Sequence, residues 1–264
     1  MKKILLTGSN GYIAQSIYNK LCDKYDFVLL NRDVCDLTST KQVDQFFIDS
    51  KSHFDCIIHT AITGGSRLKV DDQDVITNNI LMFYNLYKNE HHYKQFISLG
   101  SGAELYDNTS PYGFSKYIIN NIINSKQNFF NLRIFGIFDE NELSTRFIKR
   151  SIYKSLEGKP IEIYQDKKMD FFYMKDFISL LEHYLNNAKN CPKNIDCCYK
   201  ENYYLSDIAK TITSLCDTDI IITDNDIGNS YTGSHTEIDI KYDGLLKGIH
   251  DTFYKLRDRY ECSN

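Results

Sequence analysis

The sequence predicts an α/β fold, a doubly wound parallel sheet followed by a small C-terminal lobe. Three observations carry this. Apolar runs of strand length alternate with stretches of helical period through the first half of the chain. The first run, Ile4-Leu5-Leu6, stops at Thr7-Gly8, and a second glycine, Gly11, precedes a pattern running through Ile13, Ile17 and Leu21. After about residue 136 the alternation becomes irregular. Strands separated by helices imply parallel pairing with right-handed crossovers.

In order, Asp26 to Asn31 reads as a second buried strand, followed by a helix with Val43, Phe46, Phe47 and Ile48 apolar, which Thr38 or Ser39 could cap. Phe54 to Ala61 is a third strand, and Asp74 to Tyr93 a long helix with Val75, Ile80, Phe83, Leu86 and Tyr87 on its apolar face. Gln95 to Leu99 is a fourth strand ending at Gly100-Ser101-Gly102. Ser115 to Ser125 is a helix and Asn131 to Phe135 a fifth strand. Beyond these, helices are expected over Thr145 to Glu157, Asp176 to Asn186, Ser206 to Leu215 and Leu245 to Tyr260. Short strands are expected at Ile161 to Tyr164 and Ile220 to Ile222, with an aromatic segment at Met169 to Met174. These pieces suit a lobe at the C-terminal edge of the sheet, where an α/β fold binds its substrate.

Composition narrows the function classes. The 264 residues carry a formal net charge of −4 with mixed signs, so no basic stripe points to nucleic acid. No apolar run approaches the roughly 20 residues of a membrane span, and a strand beginning almost at residue 1 leaves no room for a signal peptide. Eight scattered cysteines show no zinc spacing, and seven histidines show no HExxH. Reduced thiols, a cytoplasmic location and no metal are the expectation.

Strand, glycine turn and helix start together place a pyrophosphate against backbone N–H groups at a helix N-terminus. Gly8 permits the tight turn and Gly11 lets the backbone approach the phosphates. The end of the second strand sets the choice of dinucleotide. An acidic residue there would bind ribose hydroxyls, whereas here Asn31 is neutral and Arg32 is a bidentate phosphate donor, favouring NADP(H) over NAD(H). The alternative for Arg32 is a solvated side chain paired with Asp33. Asp36-Leu37 would sit beside the adenine.

Tyr112 and Lys116 lie four apart at a helix start and so share a face. A lysine cation near a phenol lowers the phenol pKa from about 10, so that it can exchange a proton with a carbinol or carbonyl oxygen as hydride moves. Ser101, ahead of them, can hydrogen-bond the same oxygen, or can merely satisfy its own turn. His59 reads as a packed or hydrogen-bonded core histidine rather than a catalytic one. Phe171-Phe172-Tyr173 reads as packing, and Asn79 as a polar group facing the sheet edge.

Taken together these motifs resemble the extended short-chain dehydrogenase/reductase family, of the NAD-dependent epimerase/dehydratase type. The residues that carry the resemblance are Thr7-Gly8-x-x-Gly11-x-x-Ala14, His59-Thr60-Ala61, Ser101 with Tyr112-x-x-x-Lys116, Leu132 to Gly136 in place of LRxxN, and Lys168 to Asp176 in place of RDFxxVxD. The family implies a Rossmann-like domain over residues 1–140. It also implies a mainly substrate-binding lobe over 141–264, with one segment returning to the sheet, and a nucleoside-diphosphate sugar as substrate. The pattern is most similar to the GDP-fucose synthase type of 4-keto reductase, through the segment around Asn31 to Ser39, the loop Thr60 to Arg67 and the turn Ser98 to Tyr106. Ala14 replaces a third glycine, and Gly102 stands where many relatives carry the catalytic Ser or Thr.

The resemblance implies Ser101, Tyr112 and Lys116 as catalytic. It places Gly8, Asn10, Gly11, Tyr12, Ile13, Asn31, Arg32, Asp36, Leu37, Thr60, Ala61, Asn79, Tyr112 and Lys116 at the dinucleotide. It places Gly64, Ser101, Glu104, Gly136, Arg146 and Lys168 at the substrate, with Glu104 a second candidate to face it. Ala103 stands near the position of the Cys that epimerising reductases use, and no His lies between Gly136 and Glu142, so 3,5-epimerisation is not expected. NADPH-dependent reduction of a 4-keto-6-deoxy nucleotide sugar, for surface polysaccharide biosynthesis, remains. The alternatives are a C4 epimerase or dehydratase with bound NAD, and a non-catalytic dinucleotide sensor. A homodimer through the helices at 74–93 and 115–125 is implied by the family.

Overall fold

The computed structural model describes residues 1–66 and 69–263. Arg67, the last residue of the loop singled out above, lies outside the described residues. The chain divides into two compact units, Met1–Arg133 with Tyr184–Ile195, and Ile134–His183 with Asp196–Asn264.

The first unit is built on a six-stranded sheet. Its strands are β1 (Lys3–Thr7), β2 (Asp26–Leu30), β3 (Cys56–His59), β4 (Phe96–Ser101), β5 (Phe129–Ile134) and β9 (Asn194–Cys197), in the spatial order β2-β1-β3-β4-β5-β9. Pairing is parallel between β1 and β2, β1 and β3, and β3 and β4, with Thr7 level with both Leu30 and His59, and His59 level with Ser98. The order reverses at β1 and β3, so the C-terminal ends of these two strands flank the switch point where α/β sheets bind ligands. β3 and β4 are buried at every position, as expected of strands covered on both faces. The helices α1 (Tyr12–Leu21), α2 (Thr40–Ser50), α3 (Asp74–Tyr87), α4 (Ala103–Tyr106) and α5 (Pro111–Asn124) supply the covers. One core cluster joins Leu5, Val43, Phe47, Phe54, Phe83, Phe96 and Phe129, with Phe83 edge-on to Phe96 at 5.6 Å.

Two expectations are corrected here, and one element is added. The long helix ends at Tyr87 rather than Tyr93. The Asn89 side chain donates to the Asn85 carbonyl and to Asp44, and a 3₁₀ turn at Glu90–His92 then leads into an extended Tyr93 bridged to Phe54. The next helix begins at Pro111, four residues before Ser115: Ser110 accepts from the Gly113 N–H at 3.2 Å, and proline occupies the first helical position. The single turn α4, directly after the serine turn, has too few residues to show a helical period and was not foreseen.

In the second unit, β6 (Ile137–Phe138) pairs in parallel with β8 (Phe172–Tyr173), and β7 (Ile161–Gln165) with β10 (Ile220–Asp224). The helices are α6 (Phe147–Leu156), α7 (Met174–Asn187), along which the chain re-enters the first unit, α8 (Leu205–Thr213) and α9 (Leu245–Ser263). The buried residues of α8, Leu205, Ile208, Ala209 and Ile212, have the spacing of one helical stripe. The irregular chain before α9 is tied by buried aspartates. Asp170 accepts from Gly233 N–H at 2.7 Å, Asp196 from Ser234 N–H at 2.8 Å, and Asp176 from Asp243 and Gly244 N–H at 2.9 and 3.0 Å. No helix among the described residues is long and apolar enough to cross a membrane, and all eight cysteines are free thiols.

Candidate active site

The turn after β1 is shaped by steric need. Gly8 has φ +64°, and a Cβ on it would stand 2.7 Å from the backbone N and Cα of Ala61. The loop after β1 therefore packs directly on the chain leaving β3. Gly11 has an ordinary φ of −75° and occupies the N-cap of α1, its N–H bonded to the Gly8 carbonyl at 2.9 Å. No side chain caps α1 and no acid lies in its first turn. The N–H groups at the start of the helix, at Tyr12 and Ile13, and the positive end of the helix dipole suit an anion.

Threonines and a histidine lock the two strand ends together. Thr7 Oγ1 is 2.9 Å from His59 Nδ1, and Thr60 Oγ1 donates to the Thr7 carbonyl at 2.7 Å. His59 is fully buried, and desolvation, with the Lys116 cation adding to it, pushes its pKa down to about 3. It is a neutral structural histidine, as its sequence context implied.

At the end of β2, Asn31 Oδ1 accepts from the Asp33 and Val34 N–H groups at 3.0 and 3.1 Å, and its Nδ2 donates to Asn10 at 3.2 Å. This side chain folds the turn and links it to the glycine loop. Arg32 faces Asp36 at 4.0 Å, with 71% of its side chain exposed. The acidic neighbour is thus Asp36 and not Asp33, since one helical-type turn separates the two residues. Asp36 is held below the usual carboxylate range mainly by hydrogen bonds from the Thr38 backbone and hydroxyl, with Arg32 a smaller contributor. The Leu37 side chain packs in the core cluster, and its carbonyl accepts from Asn85 at 2.9 Å.

Asn79 is held by protein groups. Its Oδ1 accepts from the Thr63 N–H and hydroxyl at 2.9 and 3.0 Å, and its Nδ2 donates to the Thr63 carbonyl and to Ser115 Oγ, both at 3.0 Å. An amide has two donors and two acceptor lone pairs, and all four are used here. Asn79 is a clamp between the loop after β3 and α5.

Tyr112 sits in the first turn of α5, half-buried, and Lys116 one turn on, buried. Lys116 Nζ donates to the Leu99 carbonyl at 2.6 Å and lies 6.0 Å from the centroid of the Tyr112 ring. Burial lowers the lysine pKa to about 8, while the charge of Glu104 opposes the fall. The Gly64-Gly65 pair lies next to the tyrosine, with Gly65 against the Tyr112 ring. Both have positive φ, +77° and +71°; Gly64 packs on Val75, and the Gly65 N–H donates to both oxygens of Asp71.

Ser101 Oγ accepts from the Ala103 N–H at 3.2 Å, leaving its hydroxyl hydrogen to donate. Glu104 is turned inward. It does not face outward but lies 2% exposed beneath the turn, accepting from Ser101 N–H at 2.9 Å, Asn131 Nδ2 at 3.1 Å and Arg133 Nε at 3.1 Å. Gly100 is glycine because any Cβ would overlap the Glu104 carboxylate and the Asn131 amide. The sequence reading gave no individual role to Thr7, Thr63, Gly65, Ser115 and Asn131, although Thr7 opens the glycine motif and Thr63 and Gly65 lie in the loop it singled out; the Gly64-Gly65 pair carries a signal of its own, as a turn dipeptide.

The remaining candidates lie in the second unit. The Gly136 carbonyl accepts from the Phe172 N–H at 2.8 Å, and a Cβ on it would press on Phe171. Arg146 is the exposed N-cap of α6, and Lys168 Nζ lies 5.4 Å from the Tyr204 ring centroid. No group of three His, Cys, Asp or Glu side chains among the described residues could hold a metal.

A sequence model of the NAD dependent epimerase/dehydratase family matches residues 4–198. No curated protein matches the chain. Several solved structures share its fold at low identity. A UDP-glucose 4-epimerase from Thermotoga maritima superposes with a TM-score of 0.81 at 16% identity, covering 98% of this chain and 99% of its own. A GDP-L-fucose synthetase from Naegleria fowleri gives 0.78 at 15%, covering 98% and 94%. A GDP-mannoheptose C4 reductase from Campylobacter jejuni with NADP bound gives 0.77 at 16%, covering 97% and 98%.

Proposed function

Because the chain belongs to the NAD dependent epimerase/dehydratase family, we propose that it reduces the 4-keto group of a nucleoside-diphosphate sugar of the 4-keto-6-deoxy type with NADPH. The observation that carries the reading is the arrangement of Tyr112 and Lys116 on the first turns of α5, with the lysine fastened to Leu99 and set beside the tyrosine ring. The GDP-L-fucose synthetase and the GDP-mannoheptose C4 reductase with NADP bound share the fold, as does the UDP-glucose 4-epimerase.

The residues present fit a dinucleotide. The tight turn at Gly8 and the uncapped start of α1 suit its pyrophosphate. Arg32, exposed and only loosely paired with Asp36, can turn to a 2′-phosphate, where a fork of N–H donors makes charge-assisted bonds. When bound, the nicotinamide supplies hydride. Tyr112 gives its proton to the ketone oxygen as the alcohol forms. The Lys116 cation stabilises the phenolate left behind, and the same Nζ would hold a ribose hydroxyl of the bound dinucleotide. The Ser101 hydroxyl donates to the ketone oxygen and holds it in line. The product sugar feeds surface polysaccharide assembly, the chain acts in the cytoplasm, and it works as a homodimer.

Tyr112→Phe tests the assignment. NADPH binding by the variant should match wild type while turnover falls by about 10²- to 10⁴-fold, the usual worth of a positioned proton donor. Unchanged turnover would remove Tyr112 from the chemistry.

A further inference from the structure

Beneath the serine turn lies a buried charge that the proton transfer itself does not require. Glu104 points back under β4 and not outward, although the turn that carries it borders the catalytic residues. Everything around its carboxylate is a donor: the Ser101 N–H, the Asn131 amide and the Arg133 Nε–H. Burial raises its pKa above the ordinary carboxylate value, and Arg133, the Ser101 N–H and Lys116 pull it back; surroundings made of donors favour the carboxylate form. Gly100 has lost its side chain to make room for it. Its carboxylate holds the Ser101 N–H while Lys116 Nζ holds the Leu99 carbonyl two residues earlier on the same strand, so the two charges meet the end of β4 together, and the carboxylate attracts the lysine.

We propose that Glu104 is a positioning residue: clamped by Arg133, its carboxylate fixes the turn that presents Ser101 and is the buried counter-charge that keeps Lys116 cationic beside Tyr112. The charged and titratable groups around Lys116 are few. Glu104 on α4 attracts it, His59 on β3 is neutral, Tyr112 shares its helix, and the Leu99 carbonyl on β4 accepts its hydrogen bond. Glu104 is therefore the one carboxylate acting on the lysine among these groups. The lysine, held at about 8, has little margin at neutral pH. Removing the carboxylate lowers its pKa further and leaves a neutral amine beside the tyrosine. The catalytic half of this inference rests on the reductase reading, whereas the electrostatic half does not.

The test reads Lys116 directly, by NMR titration of protein labelled with ¹³C at the lysine ε-carbon, the signal being assigned by its loss in Lys116→Met. In Glu104→Gln the midpoint should fall by about one pH unit or more. The amide turns donors toward Arg133 and Asn131, so this variant can fail to fold. The pair Glu104→Met with Arg133→Met replaces the buried ion pair by apolar side chains of similar size, a change proteins tolerate, and predicts a fall in the same direction, smaller because the Arg133 cation leaves with the carboxylate. A midpoint unchanged from wild type in either folded protein overturns the proposal. Where the reductase reading also holds, the same variants lose kcat with little change in KM for NADPH, and their activity falls off at lower pH than wild type. Because the NMR signal does not depend on turnover, a wild-type enzyme inactive on 4-keto sugars would count against the reductase reading and not against the role of Glu104.

Discussion

The backbone of Gly65 lies flat against the Tyr112 ring: a Cβ added to it would stand 2.9 Å from Tyr112 Cζ. The loop after β3 thus sets one wall of the pocket in which the tyrosine ring rests, and the contact is possible only for glycine. Gly65 also needs its φ of +71°. Gly65→Ala should cost about 1–2 kcal/mol in stability from the left-handed backbone and should lower kcat by at least about 10-fold through displacement of the ring. Thermal denaturation and steady-state kinetics check the two effects separately.

Arg32 is exposed and weakly paired, so its removal should leave the fold intact. Arg32→Ala should weaken NADPH binding by about 10-fold, the loss of one charge-assisted contact, while NADH binding changes little. Equal loss for both dinucleotides, or for neither, would place the 2′-phosphate elsewhere. Isothermal titration with each cofactor makes the comparison.

His59 ties stability to pH. Its folded pKa, about 3, lies below the ordinary 6.5, so between these values the unfolded chain binds a proton that the folded one does not. Its contribution is complete above 6.5 and is lost as the pH falls toward 3, at up to about 1.4 kcal/mol per pH unit. Urea denaturation across this window should show a shallower slope for His59→Gln than for wild type.

Glu142 acts in the opposite direction. It is buried in the second unit, where it accepts from the Lys149 N–H at 3.3 Å, and desolvation raises its pKa to about 8 in spite of Arg146 and Lys149, with Asp139 adding to the rise. The folded state holds a proton that the unfolded state loses above the ordinary 4.5, so this contribution is present below 4.5 and gone once the pH passes 8. Glu142→Gln keeps the neutral shape and should be more stable than wild type at pH 8, by on the order of 1–2 kcal/mol, with the advantage vanishing near pH 5. Denaturant midpoints at the two pH values decide it.

Much of the first unit was legible because its signals are local. Buried strands read as apolar runs, and Tyr112 with Lys116 stand at a spacing that only a helix makes meaningful. The start of α5 was legible too, in Ser110-Pro111, though apolar periodicity alone pointed to Ser115. What was not legible depends on contacts distant in sequence. Thr63 and Ser115 fill all four hydrogen-bonding positions of Asn79. Leu37 belongs to the core beside Phe47. Glu104 follows the serine turn, and only Asn131 and Arg133, on the next strand, show that it points inward. In the second unit the short strands Ile137–Phe138 and Phe172–Tyr173 pair only with one another, and two residues have no period to read.

The most direct test of the central claim is a stoichiometric assay with NADPH deuterated on the transferred position, run against GDP-, CDP-, dTDP- and UDP-linked 4-keto-6-deoxy sugars. The account predicts one NADPH consumed per sugar reduced, deuterium at C4 of the product, and loss of both in Tyr112→Phe. Conversion of a nucleotide sugar with no net NADPH consumption, by protein that retains bound NAD⁺, would contradict it and identify an epimerase or dehydratase instead.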